Sequence, residues 1–131
     1  MRNEQEGYND LIVFSKAYCL ALIISHLTKN YSSDERYLLV DQIRRSSRSI
    51  CANIAEAYRK RQYNKHFLSK LSDSDSETSE TILWLDFSKD RDYLSAETHK
   101  DLTNRYLGIG RMIGGMMRNP EKFHPNQNSQ P

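Results

Sequence analysis

Two stretches of this chain mirror each other. From Val40, apolar or small residues recur at steps of three or four through Ile43, Ser47, Cys51, Ile54 and Tyr58, which places them on one face of an α-helix. A second stripe follows at Phe67, Leu71, Ser74, Thr78, Ile82 and Leu85. If the two helices fold back on each other about Gln62 and Tyr63, residues at equal height have numbers with a constant sum of 125. Large residues then meet large at both ends, Val40 with Leu85 and Tyr58 with Phe67. Small ones meet in the middle, Ser47 with Thr78 and Cys51 with Ser74. Such a waist lets two helices approach at the near end of the usual ~8–10 Å interaxial range. Periodicity alone allows many registers. The matched sizes select this one.

The first of these helices is predicted over residues 34–61, uninterrupted by Pro or Gly, with Asp41–Arg45 and Glu56–Lys60 spaced as helical ion pairs. Ser32 with Glu35 fits a capping box at its start, and Ser33 is an equally good cap. The second is predicted over 64–89, although its centre, SKLSDSDSETSETI, is rich in Ser, Thr and Asp, which are poor in helix interiors. The size pairing overrides that local preference.

Two further helices flank the hairpin. One is predicted over 8–29, capped by Asn9 or Asp10, with the stripe Val13, Ala17, Leu20, Ile24 and Leu27; Leu11, Phe14, Tyr18 and Ala21 widen its buried face. Asn30 is expected to end it in a left-handed conformation. The last, over 95–118, starts at Ser95 and carries Leu102, Tyr106, Ile109, Ile113 and Met116 on one face. It also holds Gly108, Gly110, Gly114 and Gly115; each costs a helix ~1 kcal/mol relative to Ala, so close approach of another helix is expected at Gly110 and Gly114. Residues 1–7 and the Pro-containing segment 120–131 read as disordered. The expected fold is all-α: one up-down-up-down antiparallel four-helix bundle over residues 8–119.

Composition limits function more than it assigns it. The net charge is only +2, so no overall field calls for nucleic acid. The distribution is uneven: residues 36–70 carry a net +7 and residues 71–103 a net −6, a dipole between neighbouring helices that suits charge matching within or between subunits. The amino terminus shows no apolar core of a secretory signal, and LIVF and LALII, too short and interrupted by Ser15 and Lys16, are not expected to span a membrane. Cys19 and Cys51 read as reduced core thiols about 10 Å apart along the axis, beyond disulfide reach. A cytoplasmic location follows as the expectation.

The run QIRRSSRSICANIAEAYRKR, joined to SETSETILWLDF, resembles the bacterial four-helix-bundle proteins encoded in intervening sequences of large-subunit ribosomal RNA genes, members of which are often labelled as a ribosomal protein. The resemblance spans about Asp10 to Met117, with Gln42, Ile43, Arg44, Arg45, Ser49, Ile50, Ala52, Asn53, Ile54, Ala55 and Glu56 as its core. The chain departs from the family pattern at Cys51, where Pro is common, and at Ala57, where Gly is common; both changes should straighten the second helix. The resemblance implies a homopentameric ring without established enzymatic activity. More distantly the chain is similar to accessory proteins of diversity-generating retroelements, which bind nucleic acid and a reverse transcriptase through basic surfaces.

Three charged clusters stand out. Arg59, Lys60, Arg61 and Lys65 surround Tyr63 at the turn between the second and third helices, a combination suited to phosphate contact and base stacking on RNA or DNA. The same cations also complement a helix C-terminus, and the favoured reading is a solvated helix end or subunit contact. Arg44, Arg45 and Arg48 are expected to pair across the hairpin, Arg48 with Asp75 and Arg44 with Asp86. Asp73, Asp75, Glu77 and Glu80 lack the Gly of a calcium loop. Their expected use is docking on Arg45 and Arg59 of a sister subunit, with Arg48 also at the interface, in a heterologous contact. Four scattered His residues have no zinc spacing, and no phosphate loop or nucleophile elbow is present. No enzyme, metal, cofactor, small-molecule substrate or membrane partner is expected.

Overall fold

The computed structural model describes residues 7–8 and 11–125, and all its regular elements are helical. Four α-helices, α1 (Ile12–Leu27), α2 (Asp41–Arg59), α3 (Asn64–Asp90) and α4 (Ala96–Arg118), follow one another with short connections. The α2–α3 pairing is the most extensive contact, and α1 packs on α2 and α4.

The hairpin register is the expected one. Bonds between α2 and α3 join Arg45 to Glu80, Ser46 to Thr81, Ile50 to Ser74 and Glu56 to Lys70, pairs whose numbers sum to between 124 and 127. The waist is real and polar: Ser46, Ser47, Ser74, Thr78 and Thr81 are all buried. Every one of these hydroxyls has a partner. Ser74 donates to the Ile50 carbonyl across the interface at 2.9 Å, while Thr78 donates to the Ser74 carbonyl within α3 at 2.9 Å. Back-bonding to the preceding turn satisfies hydroxyls that a Ser/Thr-rich helix would otherwise bury unpaired. That is why α3 persists through a sequence of poor local propensity.

The α4 stripe is buried as expected, with Leu102, Tyr106, Ile109, Ile113 and Met116 facing Leu20, Ile24, Ile50, Ile54 and Leu71 in one core. Ser95 Oγ accepts the Thr98 amide at 3.0 Å, the expected cap. The glycines do not interrupt the helix. Close approach of another helix is not their reason, however: a Cβ on Gly110 would stand 3.7 Å from Asp75 Oδ1, an ordinary contact, and one on Gly114 would stand 3.2 Å from the end of the Arg118 side chain of α4 itself.

Helix ends depart most from expectation. The proposed Asn9 or Asp10 cap lies outside the described residues. α1 ends in a 3₁₀ turn, Thr28–Asn30, where the Thr28 hydroxyl donates to the Ile24 carbonyl at 2.8 Å; Asn30 is not left-handed. Ser32 Oγ accepts the Asp34 amide instead of forming a box with Glu35, whose carboxylate is drawn off by Arg91 at 3.3 Å. What was expected as the first turns of the second helix is a 3₁₀ turn, Ser33–Glu35, followed by a π-helical turn, Arg36–Val40. Past it α2 runs unbroken through Cys51 and Ala57. At the carboxy end, Pro120–Phe123 forms a 3₁₀ turn, and the Phe123 ring lies 5.8 Å from Phe67. The expected disordered tail therefore packs at its start; residues 1–6 and 126–131 lie outside the described residues.

α1 is more apolar than its two short runs suggested. Joined in one helix with the following turn, Ile12–Asn30 reaches a mean hydropathy of 1.3 and is long and apolar enough, by length and composition, to cross a membrane. Here it supplies Val13, Ala17, Leu20 and Ile24 to the core, while Ile12, Tyr18 and Leu22 on its other side are more than half exposed.

Candidate interaction surfaces

The basic corner forms where α2 ends and α3 begins. Arg61 is not free: its guanidinium lies 4.1 Å over the Tyr58 ring and donates to the Tyr58 carbonyl at 2.9 Å. Arg59, Lys60 and Lys65 are exposed and make no ion pair among the described residues. Tyr63, 55% exposed, is met by the edge of His66 at 6.1 Å. Three free cations and one accessible ring therefore remain of the five residues read from the sequence.

The α2 arginines are used differently from the expected pairings. Arg44 donates to Thr28 Oγ1 at 2.8 Å and to the Ser25 carbonyl at 3.3 Å, so it clamps α1 onto α2 and does not reach Asp86. Arg48 donates to Ser25 Oγ at 3.2 Å and not to Asp75. Arg45 does pair across the hairpin as expected, but with Glu77 and Glu80, the carboxylates expected to dock on Arg45 of a sister subunit. It binds both within its own chain, Glu77 at 3.3 Å and Glu80 in direct contact. Burial works against the Arg45 charge, but the two carboxylates outweigh it and hold its pKa above the ordinary value. Lys70 takes Glu56 at 3.3 Å and Asp73 at 3.9 Å. Asp41 and Lys60 are thereby left without the helical partners their spacing suggested. The cause is geometric: across the close α2–α3 interface, long side chains reach the facing helix more readily than the next turn of their own.

Two apolar surfaces were not read from the sequence. The first lies where the π-helical turn meets the end of α3. Tyr37 and Leu38 project there, 75% and 63% exposed, beside Trp84 and Phe87, whose rings are 5.6 Å apart. Between them is a cleft of about 400 Å³. The off-period apolar pair Tyr37–Leu38 was its sequence signal. The extra residue of the π turn puts Leu39 and Val40 in the core and both their predecessors outside.

The second surface is a groove of about 400 Å³ between α1 and α2, floored by Ala52, Ala55 and Cys51 and walled by Phe14, Tyr18 and Leu22. Tyr18, expected in the core, is 53% exposed; it stacks on Phe14 at 5.9 Å, and Tyr8 meets Phe14 edge-on at 4.9 Å. The spacing of Tyr18 and Leu22 by four residues was the available signal. Cys51 is buried as expected, and burial pushes its thiol up to about 11. Cys19, expected in the core, is instead exposed, at a broader and more polar groove between α1 and α4 that Lys16, Arg105 and Arg111 also line.

Among the described residues no three His, Cys, Asp or Glu side chains converge as a metal site would require. The buried Tyr106 hydroxyl and Thr103 Oγ1 have no hydrogen-bond partner among the described residues. Burial raises the Tyr106 pKa well above its ordinary value. Its side chain lies inside the core, near Cys51.

Comparison with known proteins agrees with this architecture. The family model described as 23S rRNA-intervening sequence protein matches residues 9–115. A crystal structure from Bacteroides thetaiotaomicron VPI-5482, a protein of unknown function from the S23 ribosomal protein family, is 28% identical. The match covers 82% of this chain and 96% of that one, with a TM-score of 0.75. No curated protein matches the chain at a significant level.

Proposed function

The chain belongs to the 23S rRNA-intervening sequence protein family, and we propose that it serves as a non-enzymatic, self-associating scaffold of the cytoplasm, closed into a ring of five copies. The single observation that carries this reading is the placement of large apolar side chains outside the core. Tyr37, Leu38 and Phe87 where the π-helical turn meets α3, and Tyr18 and Leu22 on the α1–α2 face, are each 49% exposed or more. Scattered exposed apolar residues are ordinary, but clusters rimmed by charge mark surfaces that another molecule covers. Two distinct apolar clusters on one chain suit a heterologous contact, which closes into a ring where the rotation between copies allows it. The number five comes from the family resemblance. Light scattering on the full chain tests the reading: a mass several times 15.4 kDa is expected, and a single-chain mass that persists on concentration would overturn it.

A second reading has its own observation, the three unpaired cations around Tyr63. In this reading the α2–α3 turn contacts RNA or DNA backbone. Titration of labelled RNA should then show affinity falling with salt at a slope of about −0.7 for each phosphate neutralised on a single strand. Binding unaffected by Arg59→Ala, Lys60→Ala and Lys65→Ala together would defeat it.

A further inference from the structure

We propose that the two apolar surfaces are the two halves of one head-to-tail contact: Tyr37 and Leu38 of one copy enter the α1–α2 groove of the next. This rests on the self-association reading and says which atoms perform it. Shape is the first argument. Tyr37 and Leu38 form one wall of their own cleft and project beyond the core from a π-helical turn, whereas the other surface is a concavity with a floor of Ala52 and Ala55. A projection and a hollow suit each other better than either suits its own copy, and unlike halves make a heterologous contact that can continue from copy to copy.

Charge is the second argument. Asp34 and Asp41 bracket the projecting pair, both exposed, and neither carboxylate has an ion-pair partner among the described residues. At the edge of the groove, Arg48 is exposed and bonded only to the Ser25 hydroxyl. Arg36, 5.7 Å over the Tyr37 ring, offsets one of these two charges; the projection keeps a net negative charge and the hollow a free cation, which favours the cross-docked arrangement and opposes like-with-like pairing. The third argument is the apolar outer side of α1, of which Tyr18 and Leu22 are part and which the chain's own bundle leaves uncovered. A second copy supplies the cover.

Two substitutions test this, both at exposed positions where folding is preserved, as circular dichroism would verify. Leu38→Asp removes the projection and Ala52→Arg fills the groove floor. Each variant alone should fall to the single-chain mass. Mixed in equal amounts they should recover a species of two chains, about 31 kDa from two copies of 15.4 kDa, because the groove of the first and the projection of the second are intact. Variants that keep the wild-type mass, or a mixture that stays monomeric while wild type assembles, would overturn the head-to-tail assignment and leave self-association standing. A wild-type chain that is monomeric and floats with phosphatidylcholine vesicles would overturn both readings.

Discussion

The hydroxyls of Ser46 and Thr81 lie 2.8 Å apart in a pocket where both residues are fully buried, one on each side of the α2–α3 waist. Changing Thr81 to Val keeps the shape and removes the bond. Ser46 is then left with the Ile43 carbonyl at a long 3.4 Å, so about 1–2 kcal/mol should be lost for a buried hydroxyl deprived of its good partner. Changing Ser46 to Ala is milder. Thr81 still reaches the Glu77 carbonyl at 2.8 Å, and the loss should be ~0.5–1 kcal/mol. The double variant removes both hydroxyls at once, leaving no orphan, so its cost should fall short of the sum by about 1 kcal/mol. Urea unfolding followed by helical circular dichroism at one fixed protein concentration measures all four corners of the cycle. Losses that add to within ~0.3–0.5 kcal/mol would refute the claim that this bond joins the helices.

Other outcomes follow from particular residues. Tyr106→Phe removes a buried hydroxyl with no partner among the described residues; thermal melting should show a stability unchanged or raised by up to ~1 kcal/mol, where a functional hydrogen bond would show a loss. Gly115→Ala should stabilise by ~0.5–1 kcal/mol, because its Cβ meets nothing in the bundle; a fall in the assembled mass with folding intact would instead place that glycine at a subunit contact. Cys51, raised from 9.0 to about 11 by burial, favours the folded state while it is neutral. That advantage is complete below pH 9 and disappears as pH climbs through about 11, a loss of roughly 2–3 kcal/mol at ~1.4 kcal/mol per unit. Denaturation series from pH 8 to 11 on wild type and Cys51→Ala would show the difference, and in native protein a thiol reagent should modify Cys19 much faster than Cys51.

How much of this was legible beforehand depended on what each feature needs. The α2–α3 register was legible because size and period repeat over six positions on each helix, and only one register matches Ser47 to Thr78. The α4 stripe was legible for the same reason, down to Met116. Single contacts were not. Arg45 had Asp41 four residues away in sequence and Glu80 across the interface, and only the interhelical distance decides between them. Helix beginnings were misread where two similar caps competed. Ser32 Oγ takes the Asp34 amide because the Glu35 amide donates to the Ser32 carbonyl in a 3₁₀ turn, while Arg91, remote in sequence, holds the Glu35 carboxylate. The apolar surfaces escaped notice because apolar residues were assigned to the core by default. Tyr18 and Tyr37 show the weakness of that rule in a thin bundle, which has more apolar positions than core to hold them. Family membership was legible from the α2 run, which carries the residues that fix the register. The ring and its interface depend on surfaces between copies, which no period within one chain describes.

Hydroxyl-radical footprinting of the intact protein, concentrated and then diluted, tests the central claim most directly. Tyr37, Leu38, Tyr18 and Leu22 are all more than half exposed in a single chain. If copies cover one another through these two surfaces, all four should be protected at high concentration and become reactive together on dilution, while exposed Tyr63 stays reactive throughout. Modification of the four at the rate of Tyr63, regardless of concentration, would contradict it.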